Sequence, residues 1–165
     1  MNELIQNLVE ALREELKEYG EMLARLDLQQ EAVVQQRTPE VLSTSAALQA
    51  QIEAIAAARR EREQRQRRVA CQLGLPDRVG FSELAPRLPQ AWRPLVLELV
   101  RENNDLLTRV QLRVRQNHLL LTRAVELMQK LFGSLFPGSL PSMYGDSGRL
   151  LARPPAPQPM YEAIG

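Results

Sequence analysis

The sequence predicts an all-α protein: an antiparallel helical hairpin plus a long third helix, packed as a coiled-coil-like bundle and followed by a flexible C-terminal tail. Three observations point there. Aromatic residues make up only 4% of the chain although 44% of it is hydrophobic, and a β-sandwich carries more aromatic and β-branched side chains. Apolar residues recur at steps of three and four along three long stretches, the spacing of one helix face. Prolines and glycines gather mainly between and after those stretches, where helices stop. The 165 residues are enough for one core.

The first helix is expected over residues 3–36, with Ile5, Leu8, Leu12, Leu16, Tyr19, Leu23 and Leu26 on one face. "RTPEV" then marks a turn. Thr38 is placed as N-cap and Pro39 at the first helical position, with Glu40 suited to the positive helix N-terminus. The second helix closes a hairpin over residues 3–73. Gly74 and Pro76 stop it, and a connector follows over residues 74–94, with room for one short helix from Ser82. The third helix is expected over residues 95–136, about 63 Å if straight. Residues 1–136 form the helical domain. Residues 137–165 form the Pro-rich tail, which has few large apolar groups and is expected to be mobile.

The third helix carries a main stripe that steps by four and three without a slip: Val96, Val100, Asn103, Leu107, Val110, Val114, Asn117, Leu121, Ala124, Met128, Leu131 and Leu135. That repeat implies coiled-coil packing. Leu99, Leu106, Leu120 and Leu127 form a second row, so the apolar face is wider than one partner helix needs. From Asn117 onward it widens again with Leu119 and Val125. Two readings compete for this face: an imperfect three-helix core, or a groove for the amphipathic helix of another protein. Asn103 and Asn117 lie within the stripe, either at a polar bundle edge or fixing register with a partner helix.

Charge and chemistry narrow the function. The net charge is +1, which supplies no general attraction for nucleic acid or membrane. Six arginines lie between Arg59 and Arg68, but Glu61 and Glu63 interrupt them and no aromatic residue is interleaved for base stacking. In a hairpin turning near Arg37, residue i faces roughly residue 75 minus i, so this run meets Glu10, Glu14, Glu15 and Glu18. No nucleic-acid partner is expected. Nor is membrane insertion, since no apolar run has spanning length. The N-terminus lacks a signal-peptide pattern, and lone Cys71 fits a reducing compartment and a buried thiol. The expected location is cytoplasmic. His118 has no companion at ligand spacing, so neither metal nor cofactor is implied. No catalytic constellation is present, and an enzyme is not expected.

The order of these pieces resembles the FlgN family of flagellar type III export chaperones. The likeness spans most of residues 1–148. It is carried by "QQRTPEVL" at the hairpin turn, "ARREREQRQRRVACQLGL" at the hairpin's end, "FSELAPRL" in the connector, "ENNDLLTRVQLRVRQNHLLLTRAVELM" in the long helix, and "MYGDSG" beyond it. The Pro-rich end, "RPPAPQPMYEAIG", matches no pattern of the family. The resemblance implies a chaperone that binds the terminal helices of the hook-associated proteins FlgK and FlgL and brings them to the flagellar export apparatus. Leu119, Leu120, Leu121, Ala124, Val125, Leu127, Met128, Leu131 and Phe132 are the expected substrate-binding residues. Tyr144 and Gly145 match the family's Tyr-Gly element and are the candidate export-gate contact. The free protein is expected to be a monomer or weak homodimer. The alternative is a structural coiled-coil protein that self-associates through the same stripe.

Overall fold

A computed structural model describes residues 1–135. The expected tail, residues 137–165, lies outside the described residues. Four α-helices follow in order: α1 (Asn2–Val34), α2 (Thr38–Gln72), the short α3 (Phe81–Leu84) and α4 (Arg93–Leu135), with a 3-10 turn at Ala85–Arg87. There is no strand among the described residues, so the all-α expectation holds. Met1–Ala124 forms one compact unit, and Val125–Leu135 is the described part of a second.

The two long turns end their helices in the same way. At the end of α1, the Gln36 N–H donates to the Val33 carbonyl at 3.1 Å and the Arg37 N–H to the Ala32 carbonyl at 2.9 Å. At the end of α2, Gly74 donates to Cys71 at 3.0 Å and Leu75 to Ala70 at 2.9 Å. Both are Schellman closures, which need one left-handed residue. Gly74 provides it with φ +69°, whereas at the first turn Gln36 takes φ 56°. A Cβ in that region costs about 1 kcal/mol. Gln36→Gly is therefore expected to raise stability by about 0.5–1 kcal/mol, read as a shift of the urea midpoint at unchanged slope. Helix α2 begins one residue earlier than expected. Arg37, not Thr38, is the N-cap; Thr38 is already helical, and Pro39 lies in the first turn, where no N–H partner is needed.

Helices α1 and α2 form the expected antiparallel hairpin. Gln29 Nε2 donates to Ser45 Oγ at 3.0 Å and Arg25 Nε to Gln51 Oε1 at 3.1 Å. Helix α4 runs parallel to α1, and two asparagines fix the register. Asn103 Nδ2 donates to the Leu12 carbonyl at 3.0 Å, and Asn117 Nδ2 to the Leu26 carbonyl at 2.7 Å; both bonds span 91 residues. A constant offset over two heptads means that one seam joins the helices in step. At that offset Ile5 aligns with Val96, Leu8 with Leu99 and Tyr19 with Val110, and all six are buried. The asparagines thus set register inside this chain rather than with a partner.

The seam also sorts the two expected rows. After Val96 it takes Leu99, which is buried, and leaves Val100 half-buried; Val114, on the expected main stripe, is 45% exposed. The reason lies in α1, whose core steps from Ile5 to Leu8 to Leu12. A matching helix must step by three at the same level.

Packing is uneven along the bundle. Around the start of α4, one cluster joins Ile5, Leu8, Val9 and Leu12 of α1, Val69 and Ala70 of α2, Val79, Leu84 and Leu88 of the connector, and Val96 and Leu99. Here the connector covers the groove as a fourth layer. Arg93 holds it by donating from Nη2 to the Pro86 carbonyl at 2.7 Å. Further along, a smaller cluster contains Tyr19, Met22, Leu26 and Val110. Burying one large aliphatic side chain contributes about 1.5–3 kcal/mol, so most of the stability resides in the first cluster.

Candidate functional site

The sequence-predicted face lies on the last four turns of α4. Within the first unit, Leu119 is exposed, whereas Leu120, Leu121 and Ala124 are half-buried. Within the second, Val125, Leu127, Met128, Leu131 and Phe132 are between 54% and 61% exposed. At 3.6 residues per turn, the eight residues from Leu120 onward occupy an arc of about 160°. Leu119 falls outside that arc, on the side of Arg123, Glu126 and Lys130. Within the first unit, helix α1 ends at Val34. The end of α4 is an amphipathic helix whose apolar face carries large exposed side chains. Such a face buries apolar surface against a partner; it has no groups for covalent chemistry. Tyr144 and Gly145 lie outside the described residues.

Three further exposed apolar residues flank the hairpin turn and were not anticipated: Leu28 at 59%, Val34 at 66% and Leu42 at 68%. Leu28 had a legible signal, since it lies off the α1 stripe. Val34 and Leu42 had none, because apolar residues beside a turn are as often buried as not.

The arginine run is partly absorbed inside the hairpin. Glu15 is only 4% exposed. Its Oε2 accepts from Arg62 Nε at 2.9 Å, and its Oε1 accepts from Tyr19 Oη at 3.1 Å. Arg59 Nη2 donates to Tyr19 Oη at 2.7 Å. Burial, with the Glu15 charge beside it, holds the Tyr19 phenol above its ordinary pKa, against the opposing pull of Arg59. Tyr19 therefore stays neutral and relays a hydrogen bond from Arg59 to Glu15. Arg65 pairs with Glu61 at 2.6 Å on its own helix. Glu10 and Glu14 instead bond neighbours on α1, Gln6 and Lys17, and Glu18 accepts from Gln51 Nε2 at 2.6 Å rather than from an arginine. Cys71, expected to be buried, is exposed, because the last turn of α2 turns Val69 and Ala70 inward in its place.

The model of the family described as FlgN protein matches residues 1–152. The chain belongs to the FlgN family. These are the flagellar export chaperones for FlgK and FlgL, so membership carries a general role as a flagellar export chaperone. FlgN chaperones bind hook-associated proteins, and the family is not an enzymatic one. No curated protein and no solved structure matches the chain. No helix among the described residues is long and apolar enough to cross a membrane.

Proposed function

We propose that this FlgN family member binds the amphipathic terminal helices of FlgK and FlgL through α4, around Leu119–Phe132. It thereby keeps them from assembling or being degraded before export and delivers them to the flagellar export apparatus. One observation carries the placement: five large apolar side chains within Val125–Phe132 are more than half exposed on one helix. The clients' terminal helices have the same problem in reverse, an apolar face with nothing yet to bury it. Covering one face with the other removes both from water and blocks wrong pairings. Met128 suits a site for two clients, because its flexible thioether repacks readily. The assay is titration of purified FlgK and FlgL terminal segments against the free protein, with mass measured by light scattering. A stoichiometric complex is expected from a mostly monomeric protein. A tight homodimer that ignores both segments would favour a self-associating structural protein.

Delivery is assigned to the segment around Tyr144 and Gly145, on the strength of the family's Tyr-Gly element. Tyr144→Ala is expected to leave folding and client titration unchanged and to reduce FlgK and FlgL secretion severalfold at native expression. Normal secretion by this variant would remove the docking role; loss of client binding would move Tyr144 into the binding face.

A further inference from the structure

Arginine is commonly matched by an acid on its own helix in this protein. Arg25 pairs with Glu21 at 3.8 Å, Arg65 with Glu61 at 2.6 Å, Arg67 with Glu63 at 3.8 Å and Arg101 with Asp105 at 4.0 Å, each four residues apart. The matching stops in the middle of α4. The nineteen residues Leu106–Ala124 hold four arginines and neither aspartate nor glutamate, in a chain whose net charge is only +1. One of the four, Arg113, reaches across to Asp27 of α1 at 2.7 Å. Arg109, Arg115 and Arg123 are exposed, and none of them enters the ion pairs that α4 makes among the described residues. They surround two large apolar side chains, Leu112 at 56% and Leu119 at 50% exposure. At 3.6 residues per turn the five fall in one arc of about 120°, with the leucines in the middle, Arg115 on one flank and Arg109 and Arg123 on the other. The buried Asn103, Val110 and Asn117 lie about 140–180° from Leu112, so neither leucine belongs to the seam. Beside Leu112 opens a cavity of about 210 Å³, lined by Leu23 and Asp27 of α1 and by Arg109, Leu112, Arg113 and Gln116 of α4.

A single exposed leucine on a helix is ordinary. Two at seven-residue spacing, set among arginines with no acid to answer them, make a strip with a definite complement. We propose that this strip docks an acidic amphipathic helix of a protein partner. Leu112 and Leu119 stand about 10 Å apart along α4 and take apolar side chains of the same spacing from a helix lying alongside. The partner's carboxylates flank its apolar row on both sides, because the arginines flank the leucines on both sides. Each guanidinium can bind a carboxylate through two parallel hydrogen bonds. Arg109 to Arg123 spans about 21 Å, so a partner helix of about four turns covers the strip. The cavity beside Leu112 receives one of the partner's apolar side chains. The same chemistry disfavours two other occupants that arginines attract. Nucleic acid has no use for the leucines and finds no aromatic side chain in the strip on which a base could stack. A lipid surface calls for a broader apolar face than two leucines supply. Apart from Leu119, the strip shares no residue with the proposed client face.

The test uses the full-length protein and a fluorescent helical peptide of about 16 residues, with leucines seven apart and glutamates on both sides of them. Anisotropy at low salt is expected to show binding that weakens about tenfold when the peptide's glutamates become glutamines, and about tenfold in Leu112→Ser. Arg109→Glu with Arg115→Glu should lose the acidic peptide and gain its lysine counterpart. These positions are exposed, so the melting temperature should stay within a degree or two, and titration of a FlgK terminal segment should be unchanged. In cells, a photo-cross-linker in place of Gln116 should trap a helical segment that carries acids beside leucines, and the two arginine reversals should abolish the product. Equal binding of the glutamate and glutamine peptides, or an unchanged affinity in Leu112→Ser, overturns the surface. So does the absence of a cross-link, or one only to lipid, to nucleic acid or to a segment without acids. Phosphatidylglycerol vesicles or a DNA duplex that bind through the two arginines while the peptide does not would give the strip to that ligand instead. Loss of the FlgK segment in the arginine reversals would make the strip part of the client face and overturn a separate partner.

Discussion

Glu15→Leu is expected to cost the folded state about 2–3 kcal/mol, although it replaces a buried carboxylate with a residue that suits a core. Glu15 is 4% exposed, and it accepts hydrogen bonds from both Arg62 and Tyr19. Removing one member of a buried pair leaves the other charge in low dielectric, which costs about 3–5 kcal/mol when the remaining charge is trapped. The Arg62 side chain is 18% exposed and that of Arg59 46%, so both recover part of their hydration, and the lower figure applies. For a chain of this size, a loss of that order lowers the melting temperature by about 5–10 °C. The double variant Glu15→Leu with Arg62→Met is expected to regain most of it, since buried pairs replaced together by apolar groups cost little. Urea melts on the wild type, both single variants and the double variant measure the coupling. A Glu15→Leu protein as stable as wild type would mean that the arginines never depended on it.

That cluster also shows which parts of the fold were legible in the chain. The hairpin turn at "RTPE" fixes which residues of α1 and α2 meet, and the rule that residue i faces residue 75 minus i places the arginine run beside Glu15. Its failure at Glu10 and Glu14 has a plain cause. Both are exposed, and an exposed carboxylate is served as well by a neighbour one turn away. The α4 seam was harder to read. Apolar residues occur there at both i+3 and i+4, so two rows are equally good seams until the register with α1 is known. The asparagines hold that information, but in bonds to main-chain carbonyls of α1, which no side-chain pattern advertises. The chemistry of the candidate face was legible from Leu120 to Phe132. Its exposure was not, because a helix buried on a wide face and one waiting for a partner have the same sequence.

The most discriminating variants are Leu120→Asp and Leu127→Asp, which belong to the same row of α4 two turns apart. The structure parts them. Leu120 is half-buried and aligns, at the seam offset, with Gln29 of α1, itself 6% exposed and bonded to Asn117. A carboxylate at Leu120 would be pushed against the last polar layer of the seam, where it must be desolvated or force α4 away from α1. Leu120→Asp is therefore expected to lower stability by about 2 kcal/mol, with any loss of client binding following from unfolding. Leu127 is 61% exposed. Aspartate there remains in water in the free protein, and the melting temperature should stay within a degree or two. In the complex the same carboxylate is buried against an apolar client helix, at a cost of about 3 kcal/mol, or roughly 100-fold in affinity. Melting curves and client titrations on both variants give four readings. Loss of stability at Leu127→Asp would return that position to the core, and unchanged client affinity in a folded Leu127→Asp protein would take the end of α4 out of the binding face.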